Sequence, residues 1–149
     1  MRIAVCVKRV PITGGRIVLT DDALAINTQH LGFTISPHEE CAVEEAVRLI
    51  EANKGEAVVL TLGAAEAIEQ LRDCMAVGMA HAIHLRTYGR EWDGAATAAA
   101  LVDAIRANEA EEGPFDLIFF GNESADSGGF QVGIRVAYAL GRPCVTGIK

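Results

Sequence analysis

A chain of 149 residues fits one domain, because a length like this buries most of its apolar surface in a single core and separate cores arise only in longer chains. Half of the residues are hydrophobic yet only 5% are aromatic, and runs of Ala, Val, Ile and Leu suit parallel strands under helices better than an all-β sandwich. The formal charge of -7, interrupted by no Lys/Arg cluster, repels polyanions and argues against DNA or RNA as a partner, while a small anion held by backbone amides stays possible.

Residues 3–7 form a continuous apolar run with β-branched side chains, followed by Lys8, Arg9 and Pro11, the pattern of a central strand ending in a loop. The weaker pattern over 13–33, with Gly14-Gly15 and Asp21-Asp22, predicts a small hairpin inserted after this first strand. Ser36 opens a helix: its hydroxyl suits the free amides, Pro37 suits the first helical position and Glu39 completes a capping box. Val43, Ala46, Val47 and Ile50 recur at helical spacing, with Glu44, Glu45, Arg48 and Glu51 toward solvent, and carry the helix to about Asn53. A buried strand over 57–62 turns at Gly63 into a helix over 65–77 that Gly78 stops. A third strand over 81–85, an alanine-rich helix over 94–108 and a fourth strand over 117–120 follow. A loop over 121–129, a helix over 130–140 and a fifth strand starting at Cys144 complete the series.

Strands alternating with helices predict an α/β fold with right-handed crossovers: a single domain over 1–149, its mostly parallel sheet covered by helices on both faces. The sequence stops at Lys149 as a strand gets under way, which reads as a fragment of something longer. Cys6, Cys41, Cys74 and Cys144 lie far apart without a C-x-x-C pair and read as small buried hydrophobes. His81 and His84, three apart in a strand, point to opposite faces and share no metal. No segment approaches membrane-spanning length, and a cytoplasmic location is the default expectation.

The segment Gly121-Asn122-Glu123-Ser124-Ala125-Asp126-Ser127-Gly128-Gly129-Phe130-Gln131-Val132-Gly133 follows a strand and leads into a helix. In open parallel sheets, ligands collect beyond the carboxyl ends of the strands, where a helix start offers unpaired N–H groups and a partial positive charge. Gly128 and Gly129 let the backbone approach a phosphate, and Ser124, Ser127 and Gln131 supply neutral donors. Asp126 repels phosphate unless it caps the helix or contacts ribose. The pattern is neither a P-loop nor G-x-G-x-x-G, so on pattern alone it also fits a polar βα turn. The Ser36 helix start can share the same sheet edge, with His38 facing either ligand or solvent, whereas Lys8 and Arg9 read as a solvated strand end. No nucleophile–base pair or close carboxylate pair stands out, so the chain is expected to hold a ligand and to carry no catalytic residues.

Four segments together resemble the β subunit of electron transfer flavoprotein: Val7-Lys8-Arg9-Val10-Pro11, Ala42-Val43-Glu44-Glu45-Ala46-Val47-Arg48-Leu49, Ala76-Val77-Gly78-Met79-Ala80 and the loop opened by Gly121. The likeness runs in order through nearly the whole chain and corresponds to the N-terminal portion of that family. It implies an adenine-nucleotide α-hydrolase-like, Rossmann-like fold and a heterodimer with an α subunit that carries the redox-active FAD. Electrons then pass from dehydrogenases through that flavin to an acceptor, while the β subunit binds AMP structurally. Carried over, the AMP site is the backbone around Cys6, the helix start Ser36, Pro37, His38 and Glu39, then Leu62, and the loop from Gly121, Asn122, Glu123, Ser124, Ala125 and Asp126 through Ser127, Gly128, Gly129, Phe130, Gln131 and Val132.

Ser36 stands where family members often have Asn, and Ser127-Gly128-Gly129 replaces a frequently acidic run. Because bifurcating relatives place a second FAD in the same site, AMP and FAD both remain open. The family's C-terminal segment, with its dehydrogenase-recognition loop and its arm around the α subunit, is expected to be missing. Universal stress proteins, ATP-binding regulatory modules of similar length, are the alternative, but their glycine motif is not matched by the 121–133 loop.

Overall fold

Five consecutive buried residues, from Ile3 to Val7, put β1 (Arg2–Val7) in the middle of a sheet. The computed structural model describes residues 1–12, 14 and 17–148; Thr13, Gly15 and Arg16 of the expected insert, and Lys149, lie outside the described residues. β1 is flanked on one side by β4 (Glu56–Gly63) and then β5 (His81–Arg86), and on the other by β6 (Leu117–Phe120), all parallel. Ile3 aligns with Ala57 on one edge and Leu117 on the other, and Cys6 with Leu60 and Phe120.

Because successive side chains of a strand point to opposite faces, the apolar runs divide between two cores. Ile3, Val5, Val7, Ala57 and Val59 pack with Val43 and Ala46 of α1 (Pro37–Asn53) and Leu71 and Cys74 of α2 (Ile68–Val77). Ala4, Cys6, Val58 and Leu60 pack with Ala98, Leu101, Val102 and Ile105 of α3 (Gly94–Glu112) and Val136 of α4 (Val132–Leu140). Each Val, Leu or Ile among them contributes roughly 1.5–3 kcal/mol when fully buried. The expected layering, helices on both faces of a parallel sheet, is therefore the observed one.

The hairpin expected after the first strand is also present. β2 (Val10–Pro11) pairs antiparallel with β3 (Phe33–Thr34), and farther out Leu19 bridges Ile26 across a turn closed by the N–H of Thr20 donating to Ala25 O at 2.9 Å. Gln70 of α2 donates to Phe33 O at 3.4 Å and the Arg9 guanidinium stacks 3.4 Å over the Phe33 ring, so Arg9 is not a solvated strand end.

Other expectations shift. The helix expected over 65–77 begins as a 3₁₀ turn (Ala65–Ala67) before α2, and α3 continues to Glu112 instead of ending at Asn108. α4 starts at Val132 because Phe130 sits at a left-handed φ of 50° that no α-helix contains. Cys144 opens no strand among the described residues: Val145 and Ile148 are exposed, and a strand without a partner has nothing to satisfy its ladder. Cys6 and Cys74 are buried, which pushes both thiols up, whereas Cys41 and Cys144 are exposed. No group of three metal-ligating side chains occurs among the described residues, and no helix among them is long and apolar enough to cross a membrane.

From β1 the chain adds β4 and then β5 on one side, and returns to the opposite side of β1 to add β6. The connections leaving β1 and β6 therefore depart to different faces, and a crevice opens between their carboxyl ends.

Candidate functional site

One wall of this crevice is the start of α1. Glu39 is 5% exposed, and its two carboxylate oxygens accept the N–H of Lys8 at 3.1 Å and of Ser36 at 3.0 Å. It thereby ties the end of β1 to the helix start and completes the reach-back half of the expected capping box. Burial raises its carboxyl to about 7, against the two N–H groups and the Lys8 charge, which pull it down. Gly121 lies directly on it: a Cβ there would stand 2.6 Å from Glu39 Cγ, so the first residue after β6 has to be glycine. Glu39, expected among the ligand-binding residues, thus supports the site from beneath.

The second wall is the loop after β6. Ser36 Oγ, expected to cap its own helix, accepts the N–H of Ala125 at 3.0 Å and so joins the two walls across the crevice. Ser36, Pro37, His38, Glu123 and Ala125 line a cavity of about 200 Å³. Beyond Ala125, a second cavity of about 230 Å³ is bounded by Asp126 and by Pro11, Ile12, Ile17, Ile26 and Leu31. Sequence reasoning missed this aliphatic wall; its trace was the set of isoleucines and leucines scattered among the polar residues of the insert.

Within the loop, Ser124 and Ser127 share a hydroxyl bond at 2.7 Å, and Gly128, at a φ of 58°, donates its N–H to Ser124 O at 2.9 Å. The chain then enters α4 without a cap. Gln131 makes no side-chain bond to the helix start, because its Oε1 accepts Arg135 Nε–H at 2.8 Å, and the first turn holds no acidic residue. Gly133 lets this turn approach the sheet, since a Cβ there would lie 3.0 Å from the Phe120 ring. By contrast, Asp93 caps α3 by accepting the N–H of Ala95 and Ala96 at 2.9 and 2.8 Å. Of these two helix starts, α4 is the one whose N–H groups receive no side-chain cap and whose dipole no acidic group offsets.

Charge at the crevice is concentrated on Lys8, Asp126 and Glu91. Lys8 Nζ lies 2.8 Å from Asp126 Oδ2 and also pairs with Glu91. Desolvation alone would raise the Asp126 carboxyl, but Lys8, the Ser124 hydroxyl and the Ser127 N–H hold it below the usual range. Desolvation likewise lowers Lys8, and its two carboxylates more than offset that. Lys8 is consequently a half-buried ion-pairing group, not the solvated strand end its position suggested.

The structure brings Ser36, Pro37, His38, Glu123, Ala125 and Asp126 to the cavity walls. Gly121, Asn122, Ser124, Ser127, Gly128, Gly129, Phe130, Gln131 and Val132 shape the connection around them without lining either cavity. The Cys6 side chain points into the core of α3 and α4, leaving only its backbone toward the expected ligand, and that backbone lies in the sheet ladder. Leu62 follows the Val7–Thr61 pair by one step, half-buried and aligned with Leu85, also outside the cavity walls. Chemically, the main-chain N–H groups at the α4 start suit an anion, and Ser36, His38 and Glu123 are the polar groups of the first cavity.

Residues 23–149 match the electron transfer flavoprotein domain family. Among curated proteins, the chain is 36% identical to the electron transfer flavoprotein subunit beta of Syntrophomonas wolfei, covering 97% of this chain and 55% of that protein. It is 31% identical to the acryloyl-CoA reductase electron transfer subunit gamma of Anaerotignum propionicum, covering 100% of this chain and 56% of that protein. Protein FixA of Bradyrhizobium diazoefficiens is 36% identical over 92% of this chain and 48% of its own length. The chain thus spans about half the length of these relatives.

Proposed function

The chain belongs to the electron transfer flavoprotein domain family as a β-type member, and from that premise we propose that it binds AMP as a structural ligand in the crevice between β1 and β6. In this reading it performs no bond-making chemistry itself. It pairs with an α subunit that holds FAD, and electrons pass from dehydrogenases through the complex to an acceptor. The flavin supplies the redox chemistry; the residues of this chain bind and orient.

The observation that carries the reading is the Ser36–Ala125 bond, which clamps the start of α1 to the loop that feeds the uncapped start of α4. A phosphate near Gly129 to Gly133 meets the N–H groups and dipole of a helix start without a side-chain cap, and Ser36, His38 and Glu123 of the first cavity are left to contact the rest of a nucleotide. The aliphatic cavity beyond Ala125 favours a second reading, a larger ligand such as FAD in the same site. The family match removes the support that length gave to a universal-stress-protein function.

Isothermal calorimetry on the purified chain tests the proposal. Saturable heat with AMP is expected, and no heat with AMP, ADP or FAD at millimolar concentration overturns it. Mass spectrometry of the nucleotide released from protein coexpressed with an α subunit separates AMP from FAD.

A further inference from the structure

Glu91 has no structural duty that accounts for it. It lies in the connection between β5 and α3, but Asp93 already caps α3, and among the described residues the ion-pairing partner of Glu91 is Lys8. Asp126, on the loop itself, pairs with the same Lys8 at 2.8 Å. Lys8 is therefore shared by two carboxylates, one from the loop and one from the connection that leads into α3.

The three side chains differ in exposure in a way that fits this division: 28% for Lys8, 20% for Asp126 and 63% for Glu91. One cation between two carboxylates leaves the edge of the crevice with a formal excess of one negative charge, on a chain already at -7, and Glu123 lines the cavity beside it. Two cations meet the 121–133 segment, Arg135 through Gln131 and Lys8 through Asp126, and of these it is Lys8 that Glu91 also engages.

We infer that Glu91 is a specificity determinant of this cleft, holding Lys8 jointly with Asp126 so that a nucleoside monophosphate is favoured over di- and triphosphates. The inference rests on the reading that the crevice binds an adenine nucleotide. Its physical basis is that an added or removed site charge acts on a ligand in proportion to the ligand's own charge, and salt screens that action.

The test is titration of AMP, ADP and ATP into the wild-type chain and Glu91→Gln by calorimetry, at low and high salt. Glu91→Gln is expected to tighten binding roughly threefold for AMP, rising to about tenfold for ATP, with the gradient shrinking at high salt. Glu91→Asp, which keeps the charge, is expected to restore the wild-type ratios. Equal factors for all three nucleotides, or unchanged affinities, overturn the inference while leaving nucleotide binding intact. A uniform loss of affinity together with a lower melting temperature assigns Glu91 a structural role and overturns it as well. Absence of binding by either protein to any of the three removes the underlying reading, and the inference with it.

Discussion

Two helix starts face each other across the crevice and are finished in opposite ways. At α1, proline occupies the first turn, a buried carboxylate takes up two amides and the serine hydroxyl reaches out to Ala125. At α4, the residue in the cap position turns its side chain to Arg135, the residue before it is left-handed and no acidic group neutralises the dipole. The first is completed by the fold; the second is left for something else to complete. On the proposed reading, a helix end that forgoes about 1 kcal/mol of capping is where the phosphate of the nucleotide is accommodated.

The largest expected effect comes from breaking the completed side. Gly121→Val drives a side chain into Glu39 and, if the α1 wall is as rigid as its hydrogen bonds imply, costs about 3 kcal/mol in denaturant unfolding. Next comes the buried carboxyl. Burial raises Glu39 from an ordinary 4.5 to about 7, so its contribution to stability is complete below pH 4.5 and is lost as pH rises through 7. Stability is therefore expected to fall across that window by on the order of 2 kcal/mol, a slope that Glu39→Gln flattens, and thermal melts from pH 4.5 to 8 measure it.

Smaller changes sharpen the contrast. Ser36→Ala strips the acceptor from the Ala125 N–H and is expected to cost about 1 kcal/mol of stability while weakening AMP binding several-fold, read by melting and calorimetry. Gln131→Asp supplies the cap that α4 lacks. It is expected to stabilise the fold by about 0.5 kcal/mol and to weaken AMP binding at the same time; a gain in both would mean that the open helix end is not where the phosphate sits.

The repeating layers were legible from local pattern because apolar periodicity and glycine or serine punctuation are local properties. The strand over 117–120 and the helix opened by Ser36 and Pro37 emerge where their residues demanded. The roles inside the crevice were less legible, since each depends on a partner far along the chain. Ser36 suits a capping box, and its hydroxyl also serves Ala125; Lys8 suits solvent, yet it meets Asp126 and Glu91; Glu39 suits a helix terminus, and Gly121 also lies against it. Phe130 misled for another reason, because nothing local in its neighbourhood announces a positive φ on an aromatic residue. The exposed Cys41 departs from expectation because it falls on the outward side of α1, between positions that face the sheet.

The central place of β1 also bears on how the molecule acquires its shape. β1 pairs with β4 on one side and with β6, the sheet strand most distant from it in sequence, on the other. Until Leu117 to Phe120 has been synthesised, one edge of the innermost strand stays bare, and the long-range closure it waits for makes slow, late and concerted folding the expected course.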